Sequence, residues 1–232
     1  MVTDSDWQHP TGKVPKRICI LGLGPTSQHW HQGHAAYNPS IPRVDEIWTV
    51  NKGFRTARAD VVFIMDDLVE EARRSRRYGA EIAQLEIPVI TSTVDDQVKR
   101  RWPKALKYPL SEVLTFWGSM LLKARGAPNE NPHRLGKDPF LVGVSECGYF
   151  NNSIPYMLAY AGYIGVKQVT LWGVDYNYPG TTAREDDKAN AEYWVAALEF
   201  GLGIDIDICA QSTLLNTRNR GVYYGFNGRQ PF

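Results

Sequence analysis

Small and polar residues that could hold a phosphate directly follow the first apolar stretch of the chain. Residues 17–21 lead into Gly22-Leu23-Gly24-Pro25-Thr26-Ser27. Glycines let the backbone turn sharply after a strand, and Thr26 or Ser27 can cap a helix that we expect from about residue 28 to 37. Free N–H groups at a helix start favour an anion. The loop therefore predicts a phosphate site formed by Gly22, Gly24, Pro25, Thr26 and Ser27.

A second set of polar residues brackets a helix and a strand further along the chain. Asn152 and Ser153 open an apolar helix that Gly165 ends, and an apolar strand over residues 169–174 stops at Asp175. The helix start and the strand end fall at one edge of a sheet, which is where open α/β sheets bind ligands. Asp175 is therefore a base, a metal ligand or an acceptor that orients the backbone.

Asn51 ends the second predicted strand, at the position where NAD-dependent enzymes carry an acid that binds the ribose. An amide does not supply that carboxylate, and Ser27 stands where the dinucleotide fingerprint has its third glycine. The sequence thus disfavours a nicotinamide dehydrogenase. Asn51 is either a turn residue or a contact to a ribose or phosphate, and Lys52 beside it could meet a phosphate.

Two acids and three histidines are candidates for other chemistry. Asp66 and Asp67 follow the third predicted strand, where they could hold magnesium on a nucleotide together with Asp175. Alternatively, one of them caps the next helix. The histidines at positions 29, 31 and 34 do not fit a zinc site, because the first two would lie on opposite sides of a helix. His31 or its neighbours could instead touch a phosphate or the acceptor.

Basic side chains form two clusters in the sequence. Those between positions 73 and 77 follow Glu70 and Glu71, so pairs along a helix such as Glu70 with Arg74 account for them. The second cluster surrounds Trp102 and is less balanced, so it could follow the phosphate backbone of DNA or RNA. It consists of Lys99, Arg100, Arg101, Lys104 and Lys107.

The composition is typical of one soluble α/β domain. The 232 residues are 43% hydrophobic, and 26 basic against 25 acidic side chains leave a net charge of +1. No global field therefore drives the chain onto nucleic acid or membrane. The three cysteines are unclustered, which indicates free thiols in a reducing cytosol. No stretch approaches the ~20 apolar residues of a membrane helix, so we expect a cytoplasmic protein.

Predicted strands alternate with predicted helices, which indicates a single Rossmann-like, doubly wound and mostly parallel sheet. We expect a flexible arm over residues 1–15 and one nucleotide-binding domain over residues 16–232. A lid-like insertion is expected after the Asp175 strand, over residues 177–182. Four strands should end on one edge of the sheet, at Leu21, Val50, Met65 and Val174.

Strands are expected at 17–21, 45–50, 60–65, 87–91, 167–174 and 204–209, with weaker ones near 105–108 and 140–144. Further helices are expected at 67–85, 94–101, 110–124, 152–164, 186–201 and 212–217.

Five short blocks between residues 17 and 215 carry a family resemblance. They are Gly22-Leu23-Gly24-Pro25-Thr26; Asn51; Asn152-Ser153 to Gly165; Leu171-Trp172-Gly173-Val174-Asp175-Tyr176; and Ile208-Cys209-Ala210-Gln211-Ser212-Thr213-Leu214-Leu215. In this order they resemble the bacterial CMP-sialic-acid-dependent sialyltransferases. They also resemble the related archaeal 6-hydroxymethylpterin diphosphokinase-like proteins, so the match is to a superfamily.

The resemblance implies a nucleotide site and leaves the base open. It places a nucleotide monophosphate or diphosphate among Gly24, Thr26, Asn51, Asn152 and Ser153. The family has a small residue after that serine, where this chain has Ile154, and it uses a histidine in or after the lid, whereas this chain has none beyond His133. A carboxylate or tyrosine would then replace it. The candidates are Asp175, Tyr178, Glu185, Asp186 and Asp187, or a histidine after the glycine loop such as His31.

Three functions remain open at this point. The first is a glycosyltransferase that moves a sugar from a nucleotide-sugar donor to a hydroxyl, with a hydroxylated base in DNA among the acceptors considered. The second is a magnesium-dependent pyrophosphokinase of the hydroxymethylpterin type, which would use Asp66, Asp67 and Asp175 as metal ligands. The third is a nucleotide-binding protein without catalysis.

Overall fold

The computed structural model describes residues 7–30, 43–124, 149–176 and 185–215. Within these ranges, seven strands form one sheet in the order β5-β4-β3-β2-β1-β6-β7, and every neighbouring pair is parallel. The strands are β1 (Arg17–Leu21), β2 (Glu46–Val50), β3 (Val61–Ile64), β4 (Val89–Thr91), β5 (Ala105–Lys107), β6 (Gln168–Trp172) and β7 (Asp205–Ile208). The expected Rossmann-like architecture is confirmed.

Helices cover both faces of this sheet. The described turn of the first helix, α1, spans 27–30. The others are α2 (Leu68–Arg74), α3 (Arg76–Ala83), α4 (Asp96–Arg101), α5 (Leu110–Ala124), α6 (Ser153–Ile164) and α7 (Glu185–Ala196). A 3-10 turn (Asn51–Arg55) follows β2, and a π-helical turn (Ala197–Gly201) continues α7.

The core lies in two layers because a parallel sheet must bury both of its faces. On one face, Ile18, Trp48 and Phe63 of the sheet pack with α5, α6 and α7. On the other face, Val62 and its neighbours pack with α2, α3 and α4, while Leu21 and neighbouring residues pack with α1. Helix α6 is buried along almost its whole length, as its uniformly apolar sequence requires. It ends at Gly165, whose φ of 81° is the left-handed conformation that favours glycine.

The described start of the chain differs from the flexible arm that we expected. Trp7 Nε1 donates to the Tyr160 hydroxyl (3.2 Å), and the His9 ring lies within hydrogen-bonding distance of Tyr160 and of the Glu46 carboxylate. His9 is only 7% exposed. Residues 7–11 are therefore packed against β2 and α6, and contacts far apart in sequence supply the order that local composition does not.

Three predicted elements also need correction. The helix expected over 67–85 is broken at Ser75, which is extended and caps α3 by accepting from the Tyr78 N–H (3.3 Å). The strand expected over 167–174 ends at Trp172, because Gly173 turns with φ 66°. Residues 212–215, expected to be helical, form a turn. The weak strand near 105–108 is confirmed, and the one near 140–144 lies outside the described residues.

Candidate functional site

A cleft of about 710 Å³ opens at the carboxyl ends of the central strands. From β1 the chain builds the sheet outward to β5, and it then returns to place β6 on the other side of β1. This reversal between β1 and β6 is the topological switch point, where loops diverge and open α/β sheets bind ligands. Residues after β1, β2, β3 and β6 line the cleft, as expected from the four strand ends.

Hydrogen bonds join the loop after β1 to the residues after β6. We call this contact of Thr26 with Gly173 and Asp175 the clasp. Asp175 Oδ2 accepts from both the N–H and the hydroxyl of Thr26, each at 2.8 Å. The Thr26 hydroxyl oxygen in turn accepts from the Gly173 N–H (2.8 Å). A Cβ on Gly24 would lie 2.6 Å from Asp175 Oδ2, so only glycine allows the loop to approach this closely. Asp175, 5% exposed, thus orients the loop backbone through Oδ2, while its buried Oδ1 has no hydrogen-bond partner within the described residues.

The clasp changes how this loop can meet a phosphate. The N–H groups of Gly22 and Gly24 donate to carbonyls at the end of β6, and the Ser27 N–H donates within the loop. Pro25 has no N–H to offer. Among the described loop residues, Leu23 keeps an unused N–H, and Gly22 and Leu23 are the loop residues that line the cleft. Gly24, Thr26 and Ser27 lie behind that lining and hold the loop in place.

Asn51 faces the cleft from the end of β2 in an unusual conformation. Its φ of 46° is left-handed, which costs a non-glycine residue about 1 kcal/mol or more. Its side-chain Oδ1 is buried and has no hydrogen-bond partner in the described part of the chain. A strained residue with an unsatisfied buried acceptor is a common mark of a binding position. Lys52 points elsewhere: its ammonium lies 5.2 Å from the centre of the Tyr78 ring.

The start of α6 lines the same cleft as Asn51. Asn152 is the N-cap, and its Oδ1 accepts from the Ile154 N–H (3.0 Å) while its Nδ2 donates to the Asp187 carbonyl (3.3 Å). Pro155 supplies no N–H to this first turn. The N–H and the hydroxyl of Ser153 are therefore the donors that this helix start has left for a ligand. Asn152 is a structural connector between α6 and α7.

Aromatic rings and one carboxylate complete the lining. Phe150 and Tyr156 stack at a tilt with ring centres 4.5 Å apart, and Tyr176 lines the cleft near them. Burial raises the pKa of Tyr156, so this phenol stays neutral at physiological pH. Asp187, in the first turn of α7, also lines the cleft. These rings offer flat faces to a nucleobase or a sugar.

The proposed metal ligands are not brought together as a cluster. Asp67 is the N-cap of α2, and its Oδ1 accepts from the N–H groups of Val69 (2.8 Å) and Glu70 (3.2 Å). Asp66 is exposed at the cleft, and one Asp175 oxygen is held by Thr26. Within the described ranges, no group of three His, Cys, Asp or Glu side chains is arranged to hold a metal ion.

Several predicted catalytic residues cannot be placed. His31 and Tyr178 lie outside the described residues, as do His34 and the lid-like insertion over 177–182. Glu185 begins α7, but its side chain and that of Asp186 are also outside the description. His29 is exposed on α1 and does not line the cleft.

The second basic cluster lies on α4 and β5, at the edge of the sheet. β5 is four strands from β1, or roughly 19 Å at the usual strand spacing. Lys99 Nζ donates to the Ala105 carbonyl (2.8 Å), and Trp102 is 1% exposed and donates to the Gly79 carbonyl (2.9 Å). Trp102 is therefore not available to stack on a base, and the arrangement gives DNA binding no support.

Sequence reasoning missed some residues that shape the cleft. Phe150 and Tyr156 lie on its lining, and Ser212 and Thr213 hold the segment that carries Asp175. Phe150 and Tyr156 could have been found from the aromatic residues that flank Asn152-Ser153 in the sequence. For the second pair, the contacts span 37 and 38 residues and local sequence gives no hint of them.

Comparisons with solved structures match the fold. The sialyltransferase CstII from Campylobacter jejuni, in complex with the substrate analogue CMP-3FNeuAc, is similar with a TM-score of 0.51 and 16% identity over 86% of this chain and 83% of that chain. The monofunctional α-2,3-sialyltransferase Cst-I from the same organism is similar with a TM-score of 0.51 and 16% identity, over 87% and 78%. The expected likeness to sialyltransferases is thus confirmed at the level of the fold. These two structures give no support to the pterin diphosphokinase-like part of the resemblance.

No protein-family profile matches the chain, and no curated protein sequence matches it significantly. The described helices include none that is long and apolar enough to cross a bilayer.

Proposed function

We propose that this protein is a glycosyltransferase that transfers a sugar from a nucleotide-sugar donor to a hydroxyl group. One observation carries the proposal: a left-handed Asn51 with an unsatisfied amide oxygen and the open start of α6 line the same cleft at the switch point of the sheet. Nucleotides bind at such points in doubly wound sheets. The fold shared with nucleotide-sugar-dependent enzymes agrees with this choice.

The nucleotide would span the cleft from Asn51 to Ser153. Asn51 Oδ1 is an acceptor, so it would receive a hydrogen bond from a ribose hydroxyl or a base amino group. The N–H and hydroxyl of Ser153, at the positive end of the α6 dipole, would hold the phosphate. Phe150 and Tyr156 lie beside Ser153 and would pack against the base or the sugar.

Asp187 is the group that we assign as the general base. It lines the cleft from the first turn of α7. Asp175 also lines the cleft, but its Oδ2 accepts two hydrogen bonds from Thr26, so only its Oδ1 is left to meet a ligand. In the transfer, the acceptor oxygen attacks the anomeric carbon and its proton passes to the Asp187 carboxylate. The bond from that carbon to the phosphate oxygen breaks, and the nucleotide leaves with both electrons. A general base of this kind contributes about 10²–10⁴ in rate.

The same substitution, Asp to Asn, made separately at positions 175 and 187 shows which of the two carboxylates is the general base. Nucleotides that copurify with the protein are first identified by mass spectrometry, and hydrolysis of UDP-, GDP- and CMP-sugars is then screened. With the best donor, Asp187→Asn should lower kcat by about 10²–10⁴ and remove the acidic limb of the pH–rate profile. Asp175→Asn should keep that limb, because an amide oxygen can still accept from Thr26.

Two other results of these experiments would each point to a different assignment. Loss of the acidic limb in Asp175→Asn, with Asp187→Asn unaffected, would return the base to Asp175. A nucleotide that binds without turnover of any donor would instead identify a non-catalytic nucleotide-binding protein.

A further inference from the structure

The segment Val174-Asp175-Tyr176 has left the sheet, yet hydrogen bonds hold it on two sides. On the β1 side, Asp175 is held by Thr26 through the clasp described above. On the β7 side, the loop over residues 209–215 lies against the same segment. It starts as an extension of the sheet, because the Cys209 N–H donates to the Leu171 carbonyl (3.0 Å).

Ser212 connects this loop to the cleft segment through a hydroxyl group that both donates and accepts a hydrogen bond. The residue is 1% exposed, and its Oγ donates to the Val174 carbonyl (2.8 Å). The same oxygen accepts from the Leu214 N–H (3.0 Å). A buried carbonyl outside a sheet needs such a partner, since leaving it unsatisfied costs about 1–3 kcal/mol.

Thr213 provides the second connection, directly behind a residue that lines the cleft. Its Oγ1 accepts from the Tyr176 N–H (3.0 Å), and the Tyr176 hydroxyl lies 3.5 Å from Asn152 Oδ1. The next turn reaches α7, where Glu192 Oε1 accepts from the Leu215 N–H (2.7 Å). The loop after β7 is thereby joined to the β6 end and to α7, and through Tyr176 to the start of α6.

We propose that Ser212 and Thr213 are positioning residues of the cleft. Their hydroxyl groups fix the backbone of residues 174–176, so that Tyr176 stays at the cleft wall and Asp175 stays in reach of Thr26. One expected consequence rests on the proposed function: nucleotide affinity falls when these hydroxyl groups no longer hold residues 174–176. Neither residue touches the ligand in this account.

Thr213→Val tests the proposal, because Thr213 is only partly buried and the change conserves shape. Thr170→Val is the matched control: Thr170 is 3% exposed in β6, and its hydroxyl has no partner within the described residues. Thr213→Ser restores the hydroxyl. Amide hydrogen exchange at Tyr176, the melting temperature and the affinity for CMP, UDP and GDP are measured for the wild type and the three variants.

We expect Thr213→Val to exchange the Tyr176 amide about tenfold faster or more, since that N–H loses its acceptor. The affinity for whichever nucleotide binds should fall about fivefold to twentyfold, with a melting temperature within about 4 °C of the wild type. Thr213→Ser should recover both properties, and Thr170→Val should resemble the wild type in both.

Unchanged exchange at Tyr176 in Thr213→Val would overturn the proposal, whatever the nucleotide result. Faster exchange with unchanged affinity would overturn it too, because the segment would then be loosened without effect on the site. If the wild type binds none of CMP, UDP and GDP, the proposed function fails separately, and the exchange data with their rescue by serine decide whether Thr213 fixes this segment.

Discussion

Asn51 shows most clearly how one residue can serve binding at the expense of stability. Its left-handed backbone and its unsatisfied buried oxygen are both unfavourable in the folded protein without a ligand. The sequence identified the residue as a candidate because an amide stands where a dinucleotide-binding enzyme has an acid. It could not reveal the left-handed backbone, because asparagine occurs in both extended and left-handed conformations and residue type alone does not decide between them.

Asn51→Gly should therefore separate the two properties. Glycine adopts a φ of 46° freely, so folding stability should stay the same or rise by up to about 1 kcal/mol. Nucleotide affinity should fall by about 1–3 kcal/mol, because the amide is gone. Chemical denaturation and calorimetry measure the two changes. Asn51→Ala should lose the same affinity and be less stable than Asn51→Gly; equal affinity in all three proteins would remove Asn51 from the site.

At the scale of elements, the contact between the ends of β1 and β6 determines the shape of the cleft. A Cβ on Gly22 would lie 2.2 Å from the Gly173 carbonyl oxygen, and the two loops meet there with no side chain between them. The glycine-rich loop was recognised in the sequence, but for a phosphate contact. The structure shows that much of its glycine content serves this close approach of two backbones.

Gly22→Ala should destabilise the fold by about 1–3 kcal/mol or more, because backbone atoms must move to admit the methyl group. Gly201→Ala is the control, since a Cβ there meets nothing within 4 Å. It should leave the free energy of unfolding unchanged or raise it by up to about 1 kcal/mol. Urea denaturation of both variants checks the difference, and equal stabilities would mean that the two loops are not in contact.

The packed start of the chain should make stability depend on pH through Glu46. Burial raises the pKa of this carboxyl, but hydrogen bonds from His9, Thr11 and Trp48 outweigh it, so the pKa lies below its usual value. A depressed folded-state pKa means that the stabilisation is present above the unfolded value of about 4.3 and is lost as pH falls through the folded value.

Glu46→Gln should accordingly be less stable than the wild type at pH 7 by about 1–3 kcal/mol, with a difference that shrinks as the pH falls below about 4. Urea denaturation at several pH values measures this. Glu86→Gln, at a side chain that is 92% exposed, should show neither effect. A difference that stays constant down to pH 3 would contradict the account of Glu46.

At the scale of the whole molecule, the features that depend on local pattern could be predicted from the sequence. The strand and helix alternation predicted the parallel sheet, and the caps at Asp67, Asn152 and Gly165 follow from residue type and position. The sequence was insufficient wherever a contact joins distant residues. Thr26 and Asp175 are 149 residues apart, and no local pattern predicts the hydrogen bonds between them. The same holds for Trp7 with Tyr160.

The central claim is that a nucleotide binds at the carboxyl ends of β1 and β6. An amide-resolved NMR titration with CMP, UDP, GDP and ADP tests it most directly. We expect the nucleotide that binds to shift the signals of Leu23, Asn51, Ser153 and Tyr176 most strongly. Shifts confined to another surface, such as the basic residues of α4 and β5, or no saturable shift with any of the four nucleotides, would contradict it.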